Sequence, residues 1–246
     1  MKMEVDYSLH YREFHDESDE HATKMADWLC AYLGPELAVD RATTVLDVGC
    51  GFGFALRALR KLGFMNIRGV ETSAQQALVA RNAGFLVSVV EDSIGYLKDL
   101  KSSFGIILLL DVLEHIPGTL QIELARCVRE ALMPDGKVIL TVPNANSPLA
   151  ARWRYIDFTH HCSFTEHSLT FVLASAGFSE IRIDNSKGIG RPSVKLWRRD
   201  QRSALRRWLV RFLWSQVYAA ELPSDQTLDK ISFESNLKAI AFNRIK

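Results

Sequence analysis

The run Thr44 to Ala58, TVLDVGCGFGFALRA, constrains this chain more than any other stretch: a short apolar segment carries Asp47 and passes through three glycines into a helical sequence. Val45, Leu46 and Val48 read as an interior strand of a parallel sheet, where both faces are buried and apolar residues need not alternate with polar ones. Gly49, Gly51 and Gly53 follow at a spacing of two. Glycine at such positions opens torsions closed to other residues and removes the β-carbon, so a ligand can lie against the main chain. The helix that begins near Phe54 turns its unpaired amides toward whatever rests on that loop.

Spacing and the next acids decide what the loop holds. A dinucleotide fingerprint needs G-x-G-x-x-G with a pyrophosphate over the helix start. This chain has G-x-G-x-G preceded by an acid, which disfavours a nicotinamide-dependent dehydrogenase. The strand-like run Ile67 to Val70 ends in Glu71, 22 positions after Gly49, where a carboxylate can take the two hydroxyls of a ribose. A third run, Leu86 to Val90, ends in Glu91 and Asp92. A glycine loop, an acid and an acid, each at a strand end, describe a cleft for a nucleoside without a pyrophosphate.

Strand and helix alternate from there through Val142, which predicts right-handed crossovers and an α/β fold. The expected architecture is a doubly wound, mostly parallel sheet with helices on both faces. Ligands in such sheets sit beyond the carboxyl ends of the strands, where Asp47, Glu71, Asp92 and Asp111 all fall. Before the sheet, His21 to Leu33 carries Ala22, Met25, Ala26, Leu29 and Leu33 at helical spacing, and Gly34-Pro35 stops it. After the fifth strand comes a loop-rich segment, then a helix capped by Thr165 and ended by Gly177. Ile181 to Ile183 reads as the sixth strand.

At these residues the chain resembles the class I S-adenosylmethionine-dependent methyltransferases, over about residues 40 to 185 and again from 237. The matching pieces are DVGCGFG (Asp47 to Gly53), VET (Val70 to Thr72), VED (Val90 to Asp92), LLLDVLEHI (Leu108 to Ile116) and LMPDGKVILTVPN (Leu132 to Asn144). The resemblance implies a seven-stranded Rossmann-like core with a closing strand near Leu237 to Phe242. It implies a cofactor site in which Asp47, Gly49, Cys50, Gly51 and Gly53 hold the methionine part. Glu71 and Thr72 meet the ribose, Asp92 and Ser93 the adenine, and Asp111 completes the edge. Cys50 by itself reads as a small residue in a crowded turn. Three regions follow: a helical cover over 1–40, the core at 41–185 plus 237–246, and an inserted helical cap at 186–236.

The segment Pro143 to Phe164, PNANSPLAARWRYIDFTHHCSF, follows a strand's carboxyl end and is the place for acceptor chemistry. Methyl transfer is a one-step displacement, so most acceleration comes from holding nucleophile, methyl carbon and sulfur in line in a dry cleft. A base is needed only for a protonated acceptor. His160 or His161 fits that role, with Asp157 as the orienting acid. Asn144, Arg152, Arg154 and Tyr155 are the candidate acceptor contacts. YIDFTHHCSFTEHSL further resembles a subset of these enzymes from bacterial glycan and surface-polysaccharide biosynthesis, which implies O-methylation of a sugar on a nucleotide-linked or lipid-linked precursor. A small aromatic or quinone-type hydroxyl is the alternative acceptor. A non-catalytic cofactor-binding interaction module is the alternative outside enzymes. No metal is expected, since Asp157, His160, His161 and Cys162 fit no standard zinc spacing. His115 reads as a packing or cofactor-shell residue and His167 as a surface group on a helix.

From Arg198 to Tyr218, Leu205, Trp208, Leu209, Phe212, Leu213 and Val217 form one apolar helical face, with Arg207 and Arg211 roughly opposite. Such a helix can pack as a lid or dimer contact, lie on an anionic membrane surface or contact an acceptor's phosphate. A net charge of +1 gives no pull toward nucleic acid. Cys30, Cys50, Cys127 and Cys162 are widely spaced and the chain's start carries no secretory pattern, so a reduced, cytoplasmic setting is expected.

Overall fold

The computed structural model describes residues 15–184, 199–223 and 227–244. Seven strands form one sheet: β1 Val45–Val48, β2 Ile67–Glu71, β3 Val87–Val89, β4 Phe104–Leu110, β5 Leu132–Pro143, β6 Glu180–Ile183 and β7 Asn236–Phe242. Their order is β3-β2-β1-β4-β5-β7-β6, and only β7 runs antiparallel to its neighbours β5 and β6. The chain leaves β1 toward β2 on one side and later returns to β4 on the other. The crevice between the carboxyl ends of β1 and β4 is therefore the topological switch point, where this architecture places its ligand.

Helices α1 (Asp19–Leu33), α2 (Phe54–Lys61), α3 (Ala74–Asn82), α4 (Ser93–Lys98), α5 (Gly118–Ala131), α6 (Ala150–Tyr155), α7 (Glu166–Ser175) and α8 (Arg199–Glu221) complete the described part. The strands read as continuous apolar runs because both faces are covered. Leu46, Val48, Ile107 and Leu140 pack toward α4, α5 and α7, while Val45, Ile106, Leu108 and Ile139 pack toward α1 and α2. Helix α1 buries Ala22, Ala26, Leu29 and Leu33, is capped by Ser18 and ends at Gly34, as its spacing predicts. It lies against α2, with Ala55, Ala58 and Leu59 in the same cluster and an Asp19–Arg57 ion pair of 2.9 Å at the edge. The rest of the expected N-terminal cover, residues 1–14, lies outside the described residues, as do 186–198 and 224–226 of the expected cap.

Helix α8 docks by a different face from the one its periodicity indicates. Leu209, Phe212, Leu213 and Val217 are all at least 40 % exposed. The inward contacts come instead from Arg211, paired with Glu234, from Trp214, which donates to the carbonyl of Asn146 at 2.9 Å, and from Tyr218, edge-on to Phe233. An ion pair and an indole hydrogen bond orient the helix more specifically than apolar area does. Among the described residues, no helix is long and apolar enough to cross a membrane.

Candidate active site

The glycine loop is built by left-handed backbone. Gly49, Gly51 and Gly53 have φ of 73°, 53° and 81°, and a β-carbon on Gly49 would stand 2.7 Å from Val112 Cγ2 across the switch point. The amides of Gly49 and Cys50 both bond to the carbonyl of Val70, at 2.8 and 3.1 Å, which ties the loop to β2. Glu71, at the end of β2, accepts from the amide of Gly51 at 2.9 Å through one oxygen and from the amides of Thr72 and Ser73 at 2.8 Å through the other. One carboxylate thus fixes both the loop and the turn into α3. Asp47 is buried in β1, and burial, with the Glu71 charge beside it, pushes its carboxyl up to about 8. Burial also raises the thiol of Cys50, which fits its reading as a small packing residue.

Asp92 is exposed at the head of α4 and accepts from the amides of Ile94 and Gly95 at 3.1 and 2.7 Å. It caps the helix, and Ser93 is that helix's first residue. Asp111 holds φ of 51°, an uncommon conformation for a residue with a side chain, at the end of β4. Its Oδ1 accepts from Thr141 Oγ1 at 2.8 Å and Asn236 Nδ2 at 2.9 Å, so three strands meet at this carboxylate. The five predicted elements of the cofactor cleft, Asp47, the glycine loop, Glu71, Asp92 and Asp111, all lie along one edge of the sheet. A pocket of about 440 Å³ lined by Thr43, Gly105, Met133 and Lys137 opens at the opposite edge and contains none of them.

The expected acceptor side is the excursion after β5. Asn144 pairs with Phe164 where the loop leaves and returns, and the amide of Ala145 bonds to the carbonyl of Phe164 at 2.8 Å. Asn144 itself is fully buried, its amide donating at 2.8 Å to the carbonyls of Ser232 and Glu234. It therefore anchors the loop and presents no donor to an acceptor. Within the loop Asp157 accepts from both the amide and the hydroxyl of Thr159 at 2.7 Å, and Thr159 Oγ1 lies 2.8 Å from His115 Nδ1. His160 Nδ1 lies 2.9 Å from the carbonyl of Trp153, and its Nε2 is 3.9 Å from Asp157 Oδ2. The His115 and His160 rings meet edge to face at 4.6 Å.

The predicted Asp157 and His160 are thus together, while His161 points its exposed side chain outward. His161 contributes backbone: its amide donates to the carbonyl of Glu114 at 2.7 Å and its own carbonyl accepts from Arg154 at 2.8 Å. Tyr155 is 76 % exposed and Arg152 is exposed on α6, so these two line the rim. Sequence reasoning missed Glu114. It sits on the single turn Leu113–His115, which Gln121 of α5 fastens by donating to the carbonyls of Leu113 and Ile116. Glu114 is fully buried with both oxygens lacking a hydrogen bond among the described residues, and burial followed by the charge of Asp111 raises its carboxyl well above the usual range. The signal was present in Leu113-Glu114-His115-Ile116, an acid flanked by apolar residues at a strand end.

A doubly wound sheet whose β1 ends in a left-handed glycine loop, with an acid after β2 holding that loop, is the architecture expected of a methyltransferase domain. The family model for a methyltransferase domain matches residues 15–182, and the chain belongs to that family. The ubiquinone biosynthesis O-methyltransferase of Idiomarina loihiensis is 33 % identical over 107 residues, which is 42 % of this chain and 43 % of that protein. Its counterpart from Neisseria meningitidis serogroup C is 29 % identical over 112 residues, 43 % of this chain and 46 % of its own length. The chain spans less than half the length of these curated relatives. In structure it is similar to an S-adenosylmethionine-dependent methyltransferase from Archaeoglobus fulgidus, with a TM-score of 0.67 and 19 % identity over 96 % of this chain and 99 % of that one. It is also similar to a phosphoethanolamine N-methyltransferase from Haemonchus contortus in complex with S-adenosylhomocysteine, with a TM-score of 0.62 and 16 % identity over 99 % of this chain and 61 % of that one. The chain thus has the fold of S-adenosylmethionine-dependent methyltransferases.

Proposed function

We propose that the enzyme is an O-methyltransferase whose acceptor is a sugar hydroxyl on a nucleotide-linked or lipid-linked glycan precursor. The observation that carries this reading is the group formed by Asp157, Thr159, His115 and His160 on the loop after β5. An aliphatic hydroxyl holds its proton far more tightly than a phenol, so its transfer calls for a group that removes the proton as the carbon–oxygen bond forms. His160 is oriented by the Trp153 carbonyl and stands near Asp157, which places its ring at the acceptor side. Arg152 and Arg154 on α6 supply positive charge beside it for a phosphate of the acceptor. Asp47, Glu71, Asp92 and the glycine loop supply the cofactor contacts.

A quinone-type phenol is the second reading, favoured by the two O-methyltransferase relatives named for ubiquinone biosynthesis. Their similarity is confined to less than half of either protein. A mass-detected assay with S-adenosylmethionine against nucleotide sugars and polyhydroxylated phenols separates the two. Methylation of a nucleotide sugar with inert phenols supports the first reading, and the reverse replaces it with the second.

A further inference from the structure

We propose that Glu114, His115 and His160 bind a divalent transition-metal ion, zinc before magnesium, on the acceptor side of the cleft. The ligand atoms of these three residues all lie within 4.8 Å of one another. Metal–nitrogen and metal–oxygen bonds of about 2 Å place ligands of one ion about 3–4 Å apart, a spacing reached here by small side-chain rotations.

Three further observations point to a cation. Glu114 is fully buried, and neither of its carboxylate oxygens has a hydrogen-bond partner among the described residues. A buried carboxylate left ionised in that state costs several kcal/mol by desolvation, a cost relieved either by taking up a proton or by a cation that meets both oxygens. Both imidazoles are also set in the ligating tautomer. Thr159 donates its hydroxyl proton to Asp157, so it accepts from His115 Nδ1, and His160 Nδ1 donates to the carbonyl of Trp153. Each ring therefore carries its lone pair on Nε2, with the other nitrogen held by an outer partner, as in metal sites generally. Finally, Asp111 and Asp157 stand close enough to act on Glu114, so the pocket is rich in negative charge. Two imidazoles and one carboxylate with open positions suit zinc or another late first-row ion, whereas magnesium takes oxygen ligands.

The backbone explains how residues from two distant segments reach one point. The bond from the His161 amide to the Glu114 carbonyl sews the loop after β5 to the turn after β4. Bound there, the ion would hold the acceptor's oxygen and lower its proton affinity, a Lewis-acid role that needs no change of oxidation state. With the ion in place His160 would serve as a ligand and the hydroxyl proton would pass to solvent, while the oxygen bonds to the methyl carbon and the carbon–sulfur bond breaks to release S-adenosylhomocysteine. His160 would take the proton itself only where no ion is bound. The site goes beyond the acceptor reading and does not depend on which hydroxyl is methylated.

The test is calorimetry of the full chain, stripped with chelator and titrated with zinc sulfate, paired with the visible spectrum after cobalt(II) addition. The parent is expected to take up one equivalent and to show d–d bands. Glu114→Gln, His115→Gln and His160→Gln are each expected to weaken uptake tenfold or more, and exposed His167→Ala to leave it unchanged. Glu114→Gln is nearly isosteric, and should it unfold, the two half-buried histidine variants carry the test. No stoichiometric uptake by the parent, or equal uptake by all three variants, overturns the site. Titration of the same samples with S-adenosylhomocysteine reports independently on the methyltransferase reading.

Discussion

The carboxylate of Glu71 accepts a hydrogen bond from the amide of Gly51 at 2.9 Å, joining the end of β2 to the middle of the glycine loop. Its other oxygen is shared by the amides of Thr72 and Ser73, so the acid shapes the cleft before any ligand arrives. Hydrogen bonds to a charged group contribute about 1.5–3 kcal/mol each, which corresponds to roughly 10- to 150-fold in affinity. Glu71→Ala is expected to weaken S-adenosylhomocysteine binding at least about tenfold by calorimetry. Glu71→Gln, which keeps an acceptor for Gly51, should fall between the two. Affinity in Glu71→Ala equal to the parent's would remove this residue from the site.

Asp47 gives the cofactor step a pH signature. With its carboxyl pushed up to about 8 by burial and by Glu71, Asp47 keeps its proton at pH 7 in the unliganded protein. The unfolded chain gives up that proton near the ordinary carboxylate pKa of about 3.9. Stability of the unliganded protein therefore declines as pH rises from about 4 to about 8, as the unfolded state loses its proton first. The ammonium and sulfonium of the cofactor favour the ionised form, so binding should release up to about one proton at pH 7 and tighten toward pH 8. Calorimetry in buffers of different ionisation enthalpy measures the release, and Asp47→Asn should abolish it. Heats independent of buffer in the parent would contradict the assignment.

Gly49 combines a φ of 73° with a 2.7 Å approach of its missing β-carbon to Val112 Cγ2. Gly49→Ala pays both terms and is expected to cost about 1–3 kcal/mol in urea unfolding. Adding Val112→Ala relieves the clash but not the torsion, so the double variant should recover about half of the loss. Failure of Val112→Ala to recover any stability would show that the torsion alone is responsible.

Helix α8 offers a contrast between its two faces. Trp214→Ala removes a hydrogen bond to the Asn146 carbonyl and the packing around it, for an expected cost of about 1–3 kcal/mol. Leu209→Ser with Leu213→Ser alters side chains that are 46 % and 56 % exposed and should change stability by less than about 0.5 kcal/mol. The reverse ranking of melting temperatures would restore the orientation that periodicity alone indicates.

The cofactor edge was legible in the sequence because its signals are local and backbone-driven. The left-handed glycines at 49, 51 and 53, the Ser18 and Thr165 caps and Gly177 at φ of 93° each answer a requirement met within a few residues. The acceptor side was only half legible. Asp157 and His160 lie on one loop and were visible as a pair, but Glu114 and His115 join them through a tertiary contact between His161 and Glu114. No spacing rule reports such a contact. Asn144 was misread for a related reason: its partners Ser232 and Glu234 are about ninety residues away. The face by which α8 docks was not legible, because hydrophobic periodicity reports which residues share a side, not which side meets the protein.

His160 and His161 separate the roles that their adjacency conceals. His160 is largely enclosed, held by the Trp153 carbonyl and beside Asp157 and His115, whereas the His161 side chain is exposed at the rim. Loss of a group that handles a proton in the transition state costs about a hundredfold or more in turnover. His160→Ala is therefore expected to lower kcat by about a hundredfold or more, with S-adenosylhomocysteine affinity within about twofold of the parent, because the cofactor contacts lie on other strand ends. Asp157→Asn leaves the loop's shape but weakens the Thr159 and His160 contacts, so its kcat should fall less steeply. His161→Ala tests the exposed ring alone, and a loss of kcat there as large as that of His160→Ala would mark it as the proton acceptor. Parent-like turnover in both single variants and in the double variant would take histidine out of the chemistry altogether.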